Sequence, residues 1–279
     1  MNLLPLKDTA IDAAFAAGQI IRSYMEEEIP IEEKEGGTNY ASQVVTKVDK
    51  ECEEMILSYL LPACKEYDLA LLTEETEDDG SRFEKEYFWC VDPIDGTLSF
   101  IKKEPGFSVS IALVSREGEP VIGVIYDPST ETLYHGAKGH GVYRNDKPWE
   151  FPAPNDHLTH VTDKPLENTS RPDDLKQLLQ EKVEELGVSG MRVIQGGGSV
   201  LNAINVLKNP PSCMIKHPKK ETGGGSLWDF ASTACLFHEL GCRATNFEGG
   251  QLDLNRKDST FMHHEGIYYE CFRNRSIDP

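Results

Sequence analysis

The sequence has no run of the ~18 apolar residues that a membrane-spanning helix needs. Nothing in it points to a membrane partner. Positive charge is scarce: 28 Lys and Arg stand against 47 Asp and Glu, for a formal net charge of −19. Such a field disfavours a long nucleic-acid polyanion. It leaves room for a small phosphate ester, because bound cations invert the local field. No basic stretch precedes the first apolar residues, MNLLPLKDTAIDAAFAAG, which carry Asp8 and Asp12. That segment reads as a helix and not as a secretory signal. The cysteines, Cys52, Cys64, Cys90, Cys213, Cys235, Cys242 and Cys271, are odd in number and form no CxxC pair. Reduced, buried thiols and a cytoplasmic location are the expectation. Neither Cys nor His shows zinc spacing. There is no internal repeat and no low-complexity tail.

What is present is a chain of 279 residues, 39% of them hydrophobic. That suffices for a large core, in one domain or in two that share an interface. The chain is organised around FWCVDPIDGTLSF, residues 88–100. Phe88 to Val91 read as a short buried strand. Pro93 lacks an N–H for the ladder, so the strand should stop at Asp92-Pro93. Asp92 and Asp95 then stand at the strand mouth, with Gly96 and Thr97 behind them. Carboxylate and carbonyl oxygens at such a turn suit a hard divalent cation. Backbone N–H groups at Gly96 and Thr97 can cradle an anion. Metal and phosphate together suggest phosphoryl hydrolysis. The alternative is a strand–turn whose aspartates only cap the backbone.

Before this stretch, residues 8–28 carry Ile11, Ala14, Phe15, Gly18 and Ile21 at helical spacing, with Asp8 as a possible cap and a stop at Ile29-Pro30. Residues 31–42 read as a charged loop, one that could still return Lys34 to a metal site. An amphipathic helix follows from about residue 50, with Asp49 well placed as its N-cap. That structural role competes with a catalytic one. LALLTEE, residues 69–75, is an apolar strand ending in two glutamates. Adjacent strand side chains face opposite ways, so only one of Glu74 and Glu75 can face a given site.

After it, residues 107–114 and the following VIGVIYDPSTETLYHGAKGHGVYRN read as an antiparallel meander. Residues 150–174, rich in Pro, Asp, Asn, Thr and Ser, mark a boundary or an exposed excursion. An N-terminal subdomain over 1–165 and a C-terminal one over 166–279 are the expected division. Helices are expected at 172–186, ended by Gly187, at 199–207, started by Ser199, and at 227–240, closed by Gly241. SCMIKH and GIYYECF read as strands, and ATNFEGGQLDL as strand, turn and strand.

Glu74, Asp92, Asp95 and Asp229 all lie at the ends of regular elements. Gathering them costs like-charge repulsion unless cations neutralise it. Two or three Mg²⁺ ions would do so, polarising a phosphate oxygen, lowering the pKa of water and steadying the leaving oxygen. Taken singly, Glu74 is equally a surface residue at a strand end, and Asp229 a helix N-cap.

Four pieces give the chain a family likeness: LLTEET at 71–76, WCVDPIDGT at 89–97, GGGSVLNA at 196–203 and LWDFAS at 227–232. In order and separation they resemble the inositol monophosphatase superfamily over nearly the whole chain. The resemblance implies an α+β fold, a layered αβαβα sandwich, and a lithium-sensitive Mg²⁺ phosphatase that is commonly a homodimer, with Mn²⁺ as a substitute ion. It implies that Glu74, Asp92, Asp95, Asp229 and the carbonyl of Ile94 hold metal. Thr97 with Glu74 would orient and activate the attacking water, with Asp49 as a further catalytic group. The phosphate would lie against the Asp95-Gly96-Thr97 turn and backbone donors near Gly198 and Ser199. Hydrolysis would be direct, with no covalent enzyme phosphate. The family often has aspartate three residues before the threonine that matches Thr46. Gln43 stands there, and an amide cannot act as a base. The GGGS before Leu227 lengthens or loosens the specificity loop.

That loop carries Lys216, His217, Lys219, Lys220 and Glu221. The basic groups suit the second phosphate of 3′-phosphoadenosine 5′-phosphate, and so favour a 3′(2′),5′-bisphosphate nucleotidase of the sulfate-assimilation branch. Glu221 suits sugar or inositol hydroxyls, so an inositol monophosphatase or a fructose 1,6-bisphosphatase stays open. A solubilising loop is the plain alternative. A rival of another class, with Gln43 as its support, is a regulatory module that binds metal and phosphate without turnover. The partner in every case is a small phosphorylated metabolite.

Overall fold

A computed structural model describes residues 1–26 and 40–272, with the backbone alone for 40–46. Among these residues no helix is long and apolar enough to cross a membrane. The first helices are α1 (Leu3–Glu26) and α2 (Tyr40–Tyr67). α1 buries Leu6, Ala10, Ala13, Ala14, Ala17, Gly18 and Ile21. Small side chains on that face let it lie close to its neighbours. α2 begins ten residues ahead of the expected start, so Asp49 lies inside the helix and is not its N-cap. The expected loop over 31–42 falls mostly outside the described residues, as do Ile29-Pro30 and Lys34.

A seven-stranded sheet follows the chain order: β1 (Ala70–Thr73), β2 (Tyr87–Asp95), β3 (Ser108–Ser115), β4 (Pro120–Asp127), β5 (Thr132–Ala137), β6 (Val142–Arg144) and β7 (Lys147–Pro148). β1 pairs parallel with β2, and the rest form the expected antiparallel meander. β3 and β4 are buried at every position, which is why they read as unbroken apolar runs. β2 does not stop at Pro93. Asp92 pairs with Ser110 and Asp95 with Ser108, so two residues of β2 oppose one of β3. Pro93 sits in that bulge, where no ladder bond is owed.

The second sheet has the order β11-β12-β10-β8-β9. Its strands are β8 (Leu158–Thr162), β9 (Met191–Gln195), β10 (Ser212–Lys216), β11 (Arg243–Thr245) and β12 (Ile267–Cys271). β8 lies within the stretch read as an excursion. Its LTHVT is polar at three of five positions, without alternation, and gave no apolar run. The strand expected around Leu252 is not formed. The short helix α3 (Thr97–Ile101) follows β2. The longer ones are α4 (Pro172–Leu186), α5 (Ser199–Lys208) and α6 (Leu227–Glu239). Gly187 ends α4 in the left-handed conformation, as expected. Gly198, not Ser199, is the N-cap of α5.

Alternating side chains sort into layers. Trp89, Val91 and Ile111 pack with α1 and α2 residues such as Ala14 and Ile56. Phe88, Cys90 and Ala112 face the other way, towards Ile204 of α5, Phe230 of α6 and Met214 of β10. The outer face of the second sheet, with Cys213 and Ile215, packs on Leu175 and Leu179 of α4. Helices, sheet, helices, sheet and helix thus form the αβαβα sandwich. Each fully buried Val, Leu, Ile, Phe or Met side chain among them contributes roughly 1.5–3 kcal/mol.

Candidate active site

The bulged end of β2, the N-terminus of α6 and the N-terminus of α5 meet at one place. Asp92 is 1% exposed and Asp95 5%. Ile94 N–H donates to Asp92 Oδ1 at 3.0 Å, and the Thr97 hydroxyl donates to the Ile94 carbonyl at 3.3 Å. Asp95 accepts from two backbone donors of α5, Ser199 N–H at 3.0 Å and Val200 N–H at 2.9 Å. A carboxylate at a helix N-terminus is favoured by the orphan donors and the dipole. The approach is close. A Cβ on Gly198 would lie 2.1 Å from Asp95 Oδ2.

Asp229 is the third residue of α6. Its Oδ2 accepts from Ser226 N–H at 2.5 Å, in a capping box. It is therefore not the N-cap, but it does serve the helix start. Ser110 of β3 donates to the Trp228 carbonyl at 3.2 Å and bonds Ser232 at 2.7 Å. These bonds pin α6 to the first sheet. Carboxylate oxygens of Asp92, Asp95 and Asp229 all lie within 4.8 Å of one another.

Glu74 joins this group from β1. Its N–H donates to Val91 O at 3.2 Å, extending the β1–β2 pairing past Thr73. Glu74 keeps solvent contact, yet lost hydration, and then the charge of Asp229, push its carboxyl up to about 7. Glu75 has other neighbours. Its N–H donates to Glu53 Oε2 at 3.0 Å, and its carboxyl is raised by burial and then by Glu53. Asp49, 7% exposed, is pushed up to about 8 by burial first, then by Glu75 and Glu74.

The three clustered aspartates are also raised. Burial leads in each case. For Asp92 the charges of Glu74, Asp95 and Asp229 add to it. For Asp95 the Val200 and Ser199 N–H groups and Lys216 oppose it. Buried carboxyls that resist ionisation together are a donor set for hard divalent cations, which remove the repulsion and take oxygen ligands. The residues present fit such ions, with the Ile94 carbonyl on the same turn.

Gly96 is the N-cap of α3 and Thr97 its first residue. The backbone donors near Gly198 are committed within the protein. Gly198 N–H donates to Gly106 O at 2.7 Å and Ser199 N–H to Asp95. Lys216 turns inward. Its Nζ is 3.2 Å from Asp163, 3.0 Å from Ser199 Oγ and 3.4 Å from Gly224 O. Lys219 is half-buried, while Lys220 and Glu221 are exposed. A pocket beside Lys216 is lined by Thr162, Asp163, His217, Met262 and His263 among others.

Three contributors escaped the reading of the sequence. Asp163 sits in a polar stretch with no periodic signal. Gly106 acts through its carbonyl alone. Ser226 was legible, since Ser226-Leu-Trp-Asp229 has the spacing of a capping box. Gln43 and Thr46 lie in the stretch whose side chains are outside the described residues.

A model described as the inositol monophosphatase family matches residues 2–272. Inositol monophosphatase 2 of Homo sapiens is 28% identical over 249 residues, covering 88% of this chain and 81% of that protein. Among solved structures, an inositol monophosphatase from Anabaena (Nostoc) sp. PCC 7120 superposes with a TM-score of 0.69 at 25% identity, over 97% of this chain and 92% of that one. CysQ from Bacteroides thetaiotaomicron, a bacterial member of the inositol monophosphatase family, gives a TM-score of 0.77 at 23% identity, over 98% and 100%. That last likeness is one of fold.

Proposed function

The chain belongs to the inositol monophosphatase family, and on that premise we propose that it is a Mg²⁺-dependent phosphomonoesterase acting on a small polyol phosphate, an inositol or sugar phosphate. The observation that carries the phosphatase reading is the convergence of Asp92, Asp95 and Asp229 within 4.8 Å. Glu74, Asp92, Asp95, Asp229 and the Ile94 carbonyl would hold two or three ions. When bound, the ions would supply Lewis-acid polarisation of the phosphate and of water. Glu74 and Thr97 orient the attacking water, with the Thr97 hydroxyl held towards the Ile94 carbonyl. Asp49, buried beside Glu74 and Glu75, takes or holds a proton at the edge of the site. The phosphate lies against the Asp95-Gly96-Thr97 turn. With the N–H groups of Gly198 and Ser199 engaged, the Ser199 hydroxyl, whose oxygen accepts from Lys216, keeps its O–H to donate on that side.

The substrate reading rests on Lys216. Its ammonium is answered by Asp163, Ser199 Oγ and Gly224 O. Such a lysine has little to offer a distal phosphate. Exposed Glu221, on the same loop, is an acceptor for polyol hydroxyls. The relatives named as inositol monophosphatases support the same preference. A bisphosphate nucleotide, which the run of lysines favoured, thus becomes the competing substrate. The test is kcat/KM with Mg²⁺ for inositol 1-phosphate, fructose 1,6-bisphosphate and 3′-phosphoadenosine 5′-phosphate. The polyol esters should be the better substrates. A preference for the nucleotide overturns the substrate assignment, and no metal-dependent turnover of any ester overturns the phosphatase.

A further inference from the structure

Cys242 and Cys271 face each other at the edge of the second sheet. β11 and β12 pair antiparallel with Arg243 opposite Glu270. The same register carried one residue further sets Cys242 opposite Cys271. Their sulfurs are 3.4 Å apart. Facing Cα atoms in an antiparallel pair are about 4.5–5.5 Å apart, inside the range of roughly 4.4–6.8 Å that a disulfide spans. Cys242 is half-buried and Cys271 buried. Cys52, Cys90, Cys213 and Cys235 are buried, and burial holds their thiols far above the usual range.

The stretch between the two cysteines does something specific. It leaves β11, crosses the loop that precedes α6, and returns as β12. Leu227 N–H donates to Thr260 O at 2.9 Å, Met262 N–H to Gly225 O at 3.0 Å and Lys219 N–H to His263 O at 2.8 Å. Ser226 and Phe261 form an isolated antiparallel bridge. These bonds hold the loop whose last residue, Ser226, caps α6 and bonds Asp229.

We propose that Cys242 and Cys271 are a reversible redox site, at which a low-molecular-weight disulfide such as glutathione disulfide closes residues 242–271 into a ring that braces the loop ahead of Asp229. Cys242, the more exposed, attacks one sulfur of the oxidant as a thiolate. One thiolate leaves and a mixed disulfide forms. The Cys271 thiolate then attacks the Cys242 sulfur and expels the second thiolate. Two protein thiols lose two electrons and two protons, and the oxidant becomes two thiols.

The experiment incubates the full chain with reduced and oxidised glutathione, followed by non-reducing peptide mapping and thermal unfolding. The expected product is a Cys242–Cys271 disulfide, lighter by about 2 Da and reversed by excess thiol. Closing a ring of this length should raise Tm by roughly 5–10 °C. C242S and C271S should show neither change. A stable glutathione adduct on Cys242 without ring closure overturns the pairing, as does earlier oxidation of other cysteines. A mapped disulfide with unchanged Tm overturns the bracing. None of these readouts depends on catalysis.

Discussion

The Lys216 ammonium lies 3.2 Å from the Asp163 carboxylate, and this pair decides how the first lysine of the basic loop is read. Lys216 also reaches Ser199 Oγ, whose own N–H holds Asp95. The lysine therefore works on the acidic group through α5. Lys216→Met should lower kcat/KM for inositol 1-phosphate and for 3′-phosphoadenosine 5′-phosphate by similar factors, within about threefold of each other. A contact to a distal phosphate would instead cost the nucleotide alone about 10-fold or more. Kinetics of the variant on both esters separates the two.

Asp92→Asn should split stability from activity. The amide removes one charge from a buried acidic group while keeping the shape. Metal-free stability should rise by roughly 1–3 kcal/mol, while turnover falls by at least about 100-fold. The parent protein should gain about 2.7 kcal/mol at Mg²⁺ 100-fold above its Kd, and the variant much less. Denaturant curves with and without Mg²⁺, beside an activity assay, read all of this. Near-normal turnover at saturating Mg²⁺ would make Asp92 a structural cap.

Gly198→Ala tests the seat of Asp95. The φ of Gly198 is −64°, so alanine meets no backbone strain there. The added Cβ would instead strike Asp95, at 2.1 Å from Oδ2 and 2.8 Å from Oδ1. Asp95 must leave its two α5 donors. A loss of roughly 2–4 kcal/mol in stability follows, with loss of activity. A variant with parental unfolding and turnover would show that Asp95 needs no such seat.

Metal-free stability should fall as pH rises from about 4 towards 8. Asp49 and Glu74 are carboxyls whose folded values, about 8 and about 7, lie above their unfolded ones. The folded state then holds more protons than the unfolded state in that window, and loses its advantage as pH rises. His160 works in the opposite sense. Burial holds its ring down to about 4, so its neutral form is lost at a cost as pH falls below 6.5. His160 belongs to β8, away from the acids, and contributes equally with and without Mg²⁺. The difference between the two pH curves therefore reports the acids. A difference that does not grow with pH would contradict this.

Much of this was legible beforehand because the signals were local. Phe88–Val91, the meander and the apolar face of α6 announce themselves by pattern, and the layered fold follows from them. Asp92 and Asp95 could be picked out as a pair, and Glu74 from Glu74-Glu75, though only the structure assigns Glu75 to Glu53. Long-range placement stayed hidden. Lys216 looked free for a ligand because its partner, Asp163, is 53 residues away in a polar stretch. Gly198 and Ser199 looked like donors for phosphate, but their N–H groups are satisfied by Gly106 and Asp95. β8 escaped notice because a short strand with three polar residues in five, and no alternation, between proline-rich flanks mimics a loop.

The bulge at Pro93 sets a parity. In a regular strand, side chains three positions apart point to opposite faces. Asp92 and Asp95 would then straddle the sheet, one towards α1 and α2 and one towards α5 and α6. The extra residue opposite Val109 restores agreement between them. Inserting one residue into β3 beside Val109 would give Pro93 and Ile94 an opposite residue each, leave a more regular ladder and turn Asp95 away from Asp92 and Asp229. Such a protein should still fold, by circular dichroism, and should lose its thermal response to Mg²⁺. One surplus residue, useless for pairing, is what makes two carboxylates into a site.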